Sequence, residues 1–145
     1  MTTKIKTTFL LITLSFAIQA TSLQAEEAYE VTTKAWTAFT AKEYDSVIAH
    51  ADKANKIWGA RAKETNSGLS ALPEGDDVRG FANLNELATI TWLKGEALRL
   101  KGEKEAAIAT YKKLIADYKY GQCWDNKGWW WQPAKAAEKK IDELK

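Results

Sequence analysis

Four of the seven tryptophans in this 145-residue chain, Trp124, Trp129, Trp130 and Trp131, fall within eight residues, with Cys123 and Asp125 beside them. Indole faces are flat and apolar with a polar N–H at the edge, which suits stacking on a sugar or packing on a peptide. Trp124, Asp125, Trp129 and Trp130 are therefore candidate ligand-stacking residues. The competing assignment for Trp129 to Trp131 is a cap over the open end of a small helical core, because adjacent tryptophans on a loop cannot all point outward. Acid chemistry has candidates in Asp125 and, in a second loop, Glu74, Asp76 and Asp77. Glycoside hydrolysis needs two carboxyls about 5 Å apart for retention, or about 6.5 to 9.5 Å apart for inversion. No spacing in the chain forces two of these acids together, so no catalytic residue is assigned.

The sole histidine, His50, flanks an apolar stripe and has no companion ligands with metal-site spacing. Cys123 is the sole cysteine, so it forms no disulfide within the chain and reads as a small hydrophobe between aromatics, the alternative being an intermolecular or redox-active thiol. Phosphate-loop, dinucleotide, zinc and nucleophile-elbow motifs are all missing from the sequence. Neither a metal nor a cofactor is expected.

Helices must position these groups. Val31, Ala35, Ala38 and Phe39 recur at three- and four-residue steps, which predicts an amphipathic helix over about 27–41. Val47, Ile48, Ala51, Ala54 and Trp58 trace a second, to about Ala62, and the short Lys42-Glu43 break makes the pair antiparallel. Over about 64–80 the stripe gives way to Thr65-Asn66-Ser67-Gly68 and Pro73-Glu74-Gly75-Asp76-Asp77, turn formers that predict a long connection. Leu84, Leu87, Ala88, Thr91, Trp92 and Leu98 resume the helical period, with Gly95 inside it. A glycine there costs about 1 kcal/mol against alanine, so a close helix approach is expected at Gly95. Ala107, Ile108, Tyr111, Leu114 and Tyr118 mark a fourth helix after Gly102. Pro133 suits the first turn of a fifth, with Ala134, Ala137, Ile141 and Leu144 inward. No alternating pattern predicts a strand.

At the amino terminus, Lys4 and Lys6 precede an apolar run from Phe9 to Ala20 and small-residue exits at Ala20 and Ala25. This pattern predicts a signal peptide over 1–25, export to the periplasm or beyond, and no stable membrane insertion after cleavage. Losing Lys4 and Lys6 leaves 19 basic against 19 acidic side chains, a balance that gives no electrostatic reason to bind nucleic acid.

Gly95-Glu-Ala-Leu98, Gly102, Ala107 and Tyr111 together resemble the tetratricopeptide repeat, in which small residues sit where paired helices touch and aromatics fill the gaps. Ala35, Lys42, Val47 and Ala51 keep the same spacing 60 residues earlier, as a degenerate copy without the glycines or the large aromatic. The tail from Tyr118 to Lys140 is similar to small exported repeat proteins, some labelled β-glucanase precursor. The resemblance implies an all-α fold of antiparallel helix hairpins stacked as a short α-solenoid in one domain over 26–145. Its parts would be repeats at about 27–62 and 84–118 and an aromatic loop with a capping helix at 119–145. It also implies a non-catalytic interaction module of the cell envelope that takes a protein or peptide on the face lined by the first and third helices. Lys34, Thr37, Thr91, Trp92 and Lys94 are the candidate contacts. Two repeats make a small core, so self-association is a further expectation. The alternative function is binding or hydrolysis of β-glucan or cell-wall glycan.

Overall fold

The computed structural model describes residues 27–145, so the leader expected over 1–25 lies outside the described residues. Five α-helices carry the fold: α1 (Ala28–Thr40), α2 (Tyr44–Ser67), α3 (Ala82–Leu100), α4 (Lys104–Asp117) and α5 (Pro133–Glu143). The protein is mostly helical, as the apolar periodicity requires. The expectation of no strand is corrected by a small antiparallel hairpin, β1 (Cys123–Asp125) and β2 (Trp129–Trp131).

Two helix hairpins, α1–α2 and α3–α4, share one turn. Lys42 and Gly102, 60 residues apart, both have positive φ, 60° and 82°. Past each, a backbone N–H reaches back to the preceding helix: Glu43 N to Ala38 O at 2.9 Å and Glu103 N to Leu98 O at 2.9 Å. Glycine meets this conformation without strain, whereas Lys42 adopts it with a Cβ present.

Helix α3 is the centre of the molecule, packed on α1, α2, α4 and α5. Leu84, Leu87, Ala88, Ile90, Leu93, Ala97 and Leu98 are buried along it, covering more than one face. Gly95 is where α4 comes closest, because a Cβ there would lie 2.3 Å from Cε1 of Tyr111. Tyr111 is itself fully buried and donates its hydroxyl to Glu96, which Arg99 also holds at 2.7 Å. Pro133 opens α5, whose Ala134, Ala137 and Ile141 are buried against α4 and α3.

The long connection expected over 64–80 is shorter than that. Thr65 and Ser67 donate their hydroxyls to the carbonyls of Arg61 and Lys63, so these turn formers remain helical and α2 runs on to Ser67. A 3₁₀ helix takes up Gly75–Phe81, with Val78 buried and its carbonyl receiving Asn85 Nδ2 at 2.8 Å. Irregular backbone is left only at 68–74.

Candidate functional site: an aromatic groove on α1 and α3

The hairpin stands because its turn and its footing are both specified. Gly128 has φ 99° and donates to Asp125 O at 2.9 Å, while the Asp125 carboxylate accepts Lys127 N–H at 2.8 Å. Asp125-Asn126-Lys127-Gly128 is thus a hairpin turn with its left-handed residue at glycine. At the base, two buried asparagines bind the incoming backbone. Asn66 accepts Tyr120 N–H and Asn85 accepts Gln122 N–H, both at 2.9 Å. Gly121 between them lies directly on α3, where a Cβ would sit 2.4 Å from Cβ of Ala88 and 2.8 Å from Leu84 O.

Strand register then sorts the tryptophans. Trp124 faces Trp130 across the ladder, with ring centroids 5.2 Å apart, so both project from one side. Cys123 and Trp131 share the other side, and Trp131 packs edge-on against Trp92 at 5.2 Å. Trp92 in turn touches Trp36 of α1 at 6.4 Å. The hairpin therefore divides a groove over α1 and α3 into two concavities. One, of about 410 Å³, is lined by Tyr29, Trp36, Glu86, Trp124 and Trp130 among others. The second, of about 530 Å³, is lined by Trp36, Thr40, Trp92, Asp125, Asn126 and Trp131 together with Cys123 and Trp124. Trp36, Cys123 and Trp124 border both.

Two polar groups in the groove are poorly satisfied. The indole N–H of Trp92 is buried with no hydrogen-bond acceptor. Such a donor costs about 1–3 kcal/mol until a partner arrives. Burial also pushes the Glu86 carboxyl above its ordinary range, and the Thr32 hydroxyl offsets this only in part. That hydroxyl has one proton, and the Ala28 carbonyl 3.1 Å away competes for it. Burial raises the Cys123 thiol as well, which keeps it protonated and poorly nucleophilic.

Of the residues singled out as partner contacts, only Trp92 lines the groove. Thr91 is corrected: it is buried, and its hydroxyl accepts Asn55 Nδ2 of α2 at 3.2 Å. One residue is about 100° of helix, so Thr91 faces α2 when Trp92 faces α1. Lys94 pairs with Asp52 of α2 at 2.5 Å and is likewise on that side. Lys34 and Thr37 are exposed on α1, and neither lines the groove. Tyr29, Thr33, Trp36 and Thr40 line it instead, a helical stripe of aromatics and threonines on what reads as the polar face. Trp124, Asp125 and Trp130 are in the groove. Trp129 is not: at the hairpin tip it is 49% exposed, with Lys127 Nζ 5.9 Å from its ring. Within the triplet, Trp129 is the exposed residue, while Trp130 and Trp131 are partly buried and line the groove. Glu86, Tyr29 and Trp36 are groove residues that spacing alone did not single out.

The acids suggested for catalysis do not converge in the groove, which holds Glu86 and Asp125 rather than Glu74, Asp76 or Asp77. Among the described residues, no group of three or more His, Cys, Asp or Glu side chains is placed to hold a metal ion, and no helix is long and apolar enough to cross a membrane. No protein-family model, curated protein or solved structure matches the chain.

Proposed function

We propose that the protein is a non-catalytic interaction module of tetratricopeptide type, exported to the cell envelope, whose α1–α3 groove takes up an extended peptide segment of a protein partner. The observation that carries this reading is the buried, unpartnered indole N–H of Trp92 in an aromatic-walled groove. A peptide carbonyl is the acceptor an extended chain brings, and aromatic-lined grooves are a recurring way to hold such a chain. The repeat character rests on the matching turns at Lys42 and Gly102 and on the Gly95–Tyr111 contact. Two hairpins and a closing helix then form a short α-solenoid, with α1 and α3 as its inner helices.

The test is selection from a random peptide array against the purified chain, followed by tryptophan fluorescence titration of the selected peptides. Groove binding shifts the indole emission and is lost on replacing Trp92 with 3-benzothienylalanine, which keeps the ring shape and removes the N–H. Selected peptides that bind the replaced protein equally well would remove the reading. Glycan binding on Trp124 and Trp129 is a second reading, favoured by the exposure of these two residues, 48% and 49%. Titration with β-glucan and cell-wall glycan fragments tests it, with loss of the response in Trp129→Ala as the expected result.

A further inference from the structure

The smaller concavity has walls and a floor of opposite electrostatic character to a cation. Tyr29, Trp36, Trp124 and Trp130 line it, four aromatic residues whose rings carry negative charge on their faces, and Glu86 supplies a carboxylate from α3. Trp36 is 37% exposed, Trp124 48% and Tyr29 58%, so the rings are open to a ligand instead of spent on the core. None of the ion pairs among the described residues neutralises Glu86. Arg79 borders the same cavity from the 3₁₀ helix but is exposed to solvent.

We infer that this concavity is a receptor for one basic side chain, a lysine or arginine of the bound peptide, seated among Tyr29, Trp36, Trp124 and Trp130 with its charge on Glu86. Charge complementarity selects this occupant: a half-buried carboxylate without a cation is the group such a side chain completes, and aromatic faces add attraction that an aliphatic residue does not receive. The long methylene stem of lysine or arginine packs along the indoles while its head reaches the floor. The inference rests on the peptide-groove reading above, and it names the residue that anchors the peptide.

The probes are three capped tripeptides, Ac-Ala-Lys-Ala-NH2 and its norleucine and glutamate analogues, with choline chloride as a small organic cation. Binding is followed from the indole N–H resonances of the full chain in 1H–15N spectra. The lysine peptide is expected to shift the Trp36, Trp124 and Trp130 signals and to bind about tenfold or more tighter than the norleucine peptide, the factor that a hydrogen bond to a charged group carries. Glu86→Gln should erase that difference while the far-ultraviolet spectrum and the remaining resonances stay in place; Trp124→Ala, on the hairpin and away from the core, should weaken lysine binding independently. Equal binding of lysine and norleucine peptides at the groove overturns the cation receptor and leaves the peptide groove standing. Preference for glutamate assigns the site to Arg79 and overturns it, as does choline binding without lysine-peptide binding. If no peptide shifts any groove resonance, the cation receptor is overturned, and the peptide groove is decided by the peptides selected from the array.

Discussion

Replacing Gly95 by alanine tests whether α3 and α4 are held by the contact described. The new methyl would lie 2.3 Å from Cε1 and 2.6 Å from Cδ1 of Tyr111, against about 3.5–4 Å for an ordinary carbon contact. The ring must move by more than 1 Å (roughly) to clear it. It has little freedom to do so, being fully buried with its hydroxyl committed to Glu96. Overpacking of this kind costs about 1–3 kcal/mol, and loosening a hydrogen bond to a charged acceptor adds up to about 1.5–3 kcal/mol. Against this, alanine gains about 1 kcal/mol of helix propensity over glycine. The net expectation is a loss of about 2–4 kcal/mol, or a melting temperature lower by about 8–15 °C for a domain of this size. Urea titration followed by circular dichroism measures it. The companion variant Tyr111→Leu removes the obstructing ring edge, so the double variant should be less damaged than the sum of the singles. Unchanged or raised stability in Gly95→Ala would refute the reasoning, because propensity alone would then govern the site.

Lys42→Gly should stabilise the protein by about 0.5–1 kcal/mol in the same assay, since it removes a Cβ from a left-handed position, and Gly102→Ala should cost about 1 kcal/mol. Gly121→Ala should lift the hairpin from α3 and cost about 2 kcal/mol, read by melting and by loss of the near-ultraviolet tryptophan signal, because the methyl meets backbone at Leu84 O 2.8 Å away. Burial pushes the Glu96 carboxyl up, but hydrogen bonds from Arg99 and Tyr111 and the charge of Arg99 outweigh it and hold it below its ordinary value of 4.5. The unfolded chain therefore takes up that proton first as pH falls through its ordinary value of 4.5, so stability present at neutral pH is lost as the solution is acidified below it. Glu96→Gln should be less stable at pH 7 and show a flatter acid limb.

The helices were legible because apolar residues recur along them at helical spacing, even in α3, which is buried on more than one face, and Gly95 was legible because a glycine amid apolar residues marks a close approach. The hairpin was missed for a physical reason. Strands of three residues with tryptophan on both sides offer no alternation to read, since Cys123 and Trp131 are covered from one side and Trp130 from the other. Its signal was the turn, Asp125-Asn126-Lys127-Gly128, which demands a left-handed glycine whatever the flanking strands look like. The length of α2 was hidden because Thr65, Asn66 and Ser67 break helices only when their side chains have no helical carbonyl or distant N–H to serve. Thr91 was misplaced because apolar periodicity defines a core face but not which of two flanking faces remains open.

Two glutamates on α3 sit in contrasting environments. Glu96 is buried and satisfied: Arg99 and Tyr111 both bind it, and its carboxyl is held down. Glu86, ten residues earlier on the same helix, borders an open cavity and is pushed up by burial with one shared hydroxyl for company. An acid whose folded-state pKa lies above its unfolded value weakens the fold once both states are ionised. Neutralising it by Glu86→Gln should therefore raise the melting temperature at neutral pH, where Glu96→Gln lowers it. Glu86 and the unpartnered indole N–H of Trp92 border the two halves of one groove, so the proposed peptide would meet both. If Glu86→Gln lowers stability as Glu96→Gln does, Glu86 is a structural residue and the cation receptor loses its physical basis.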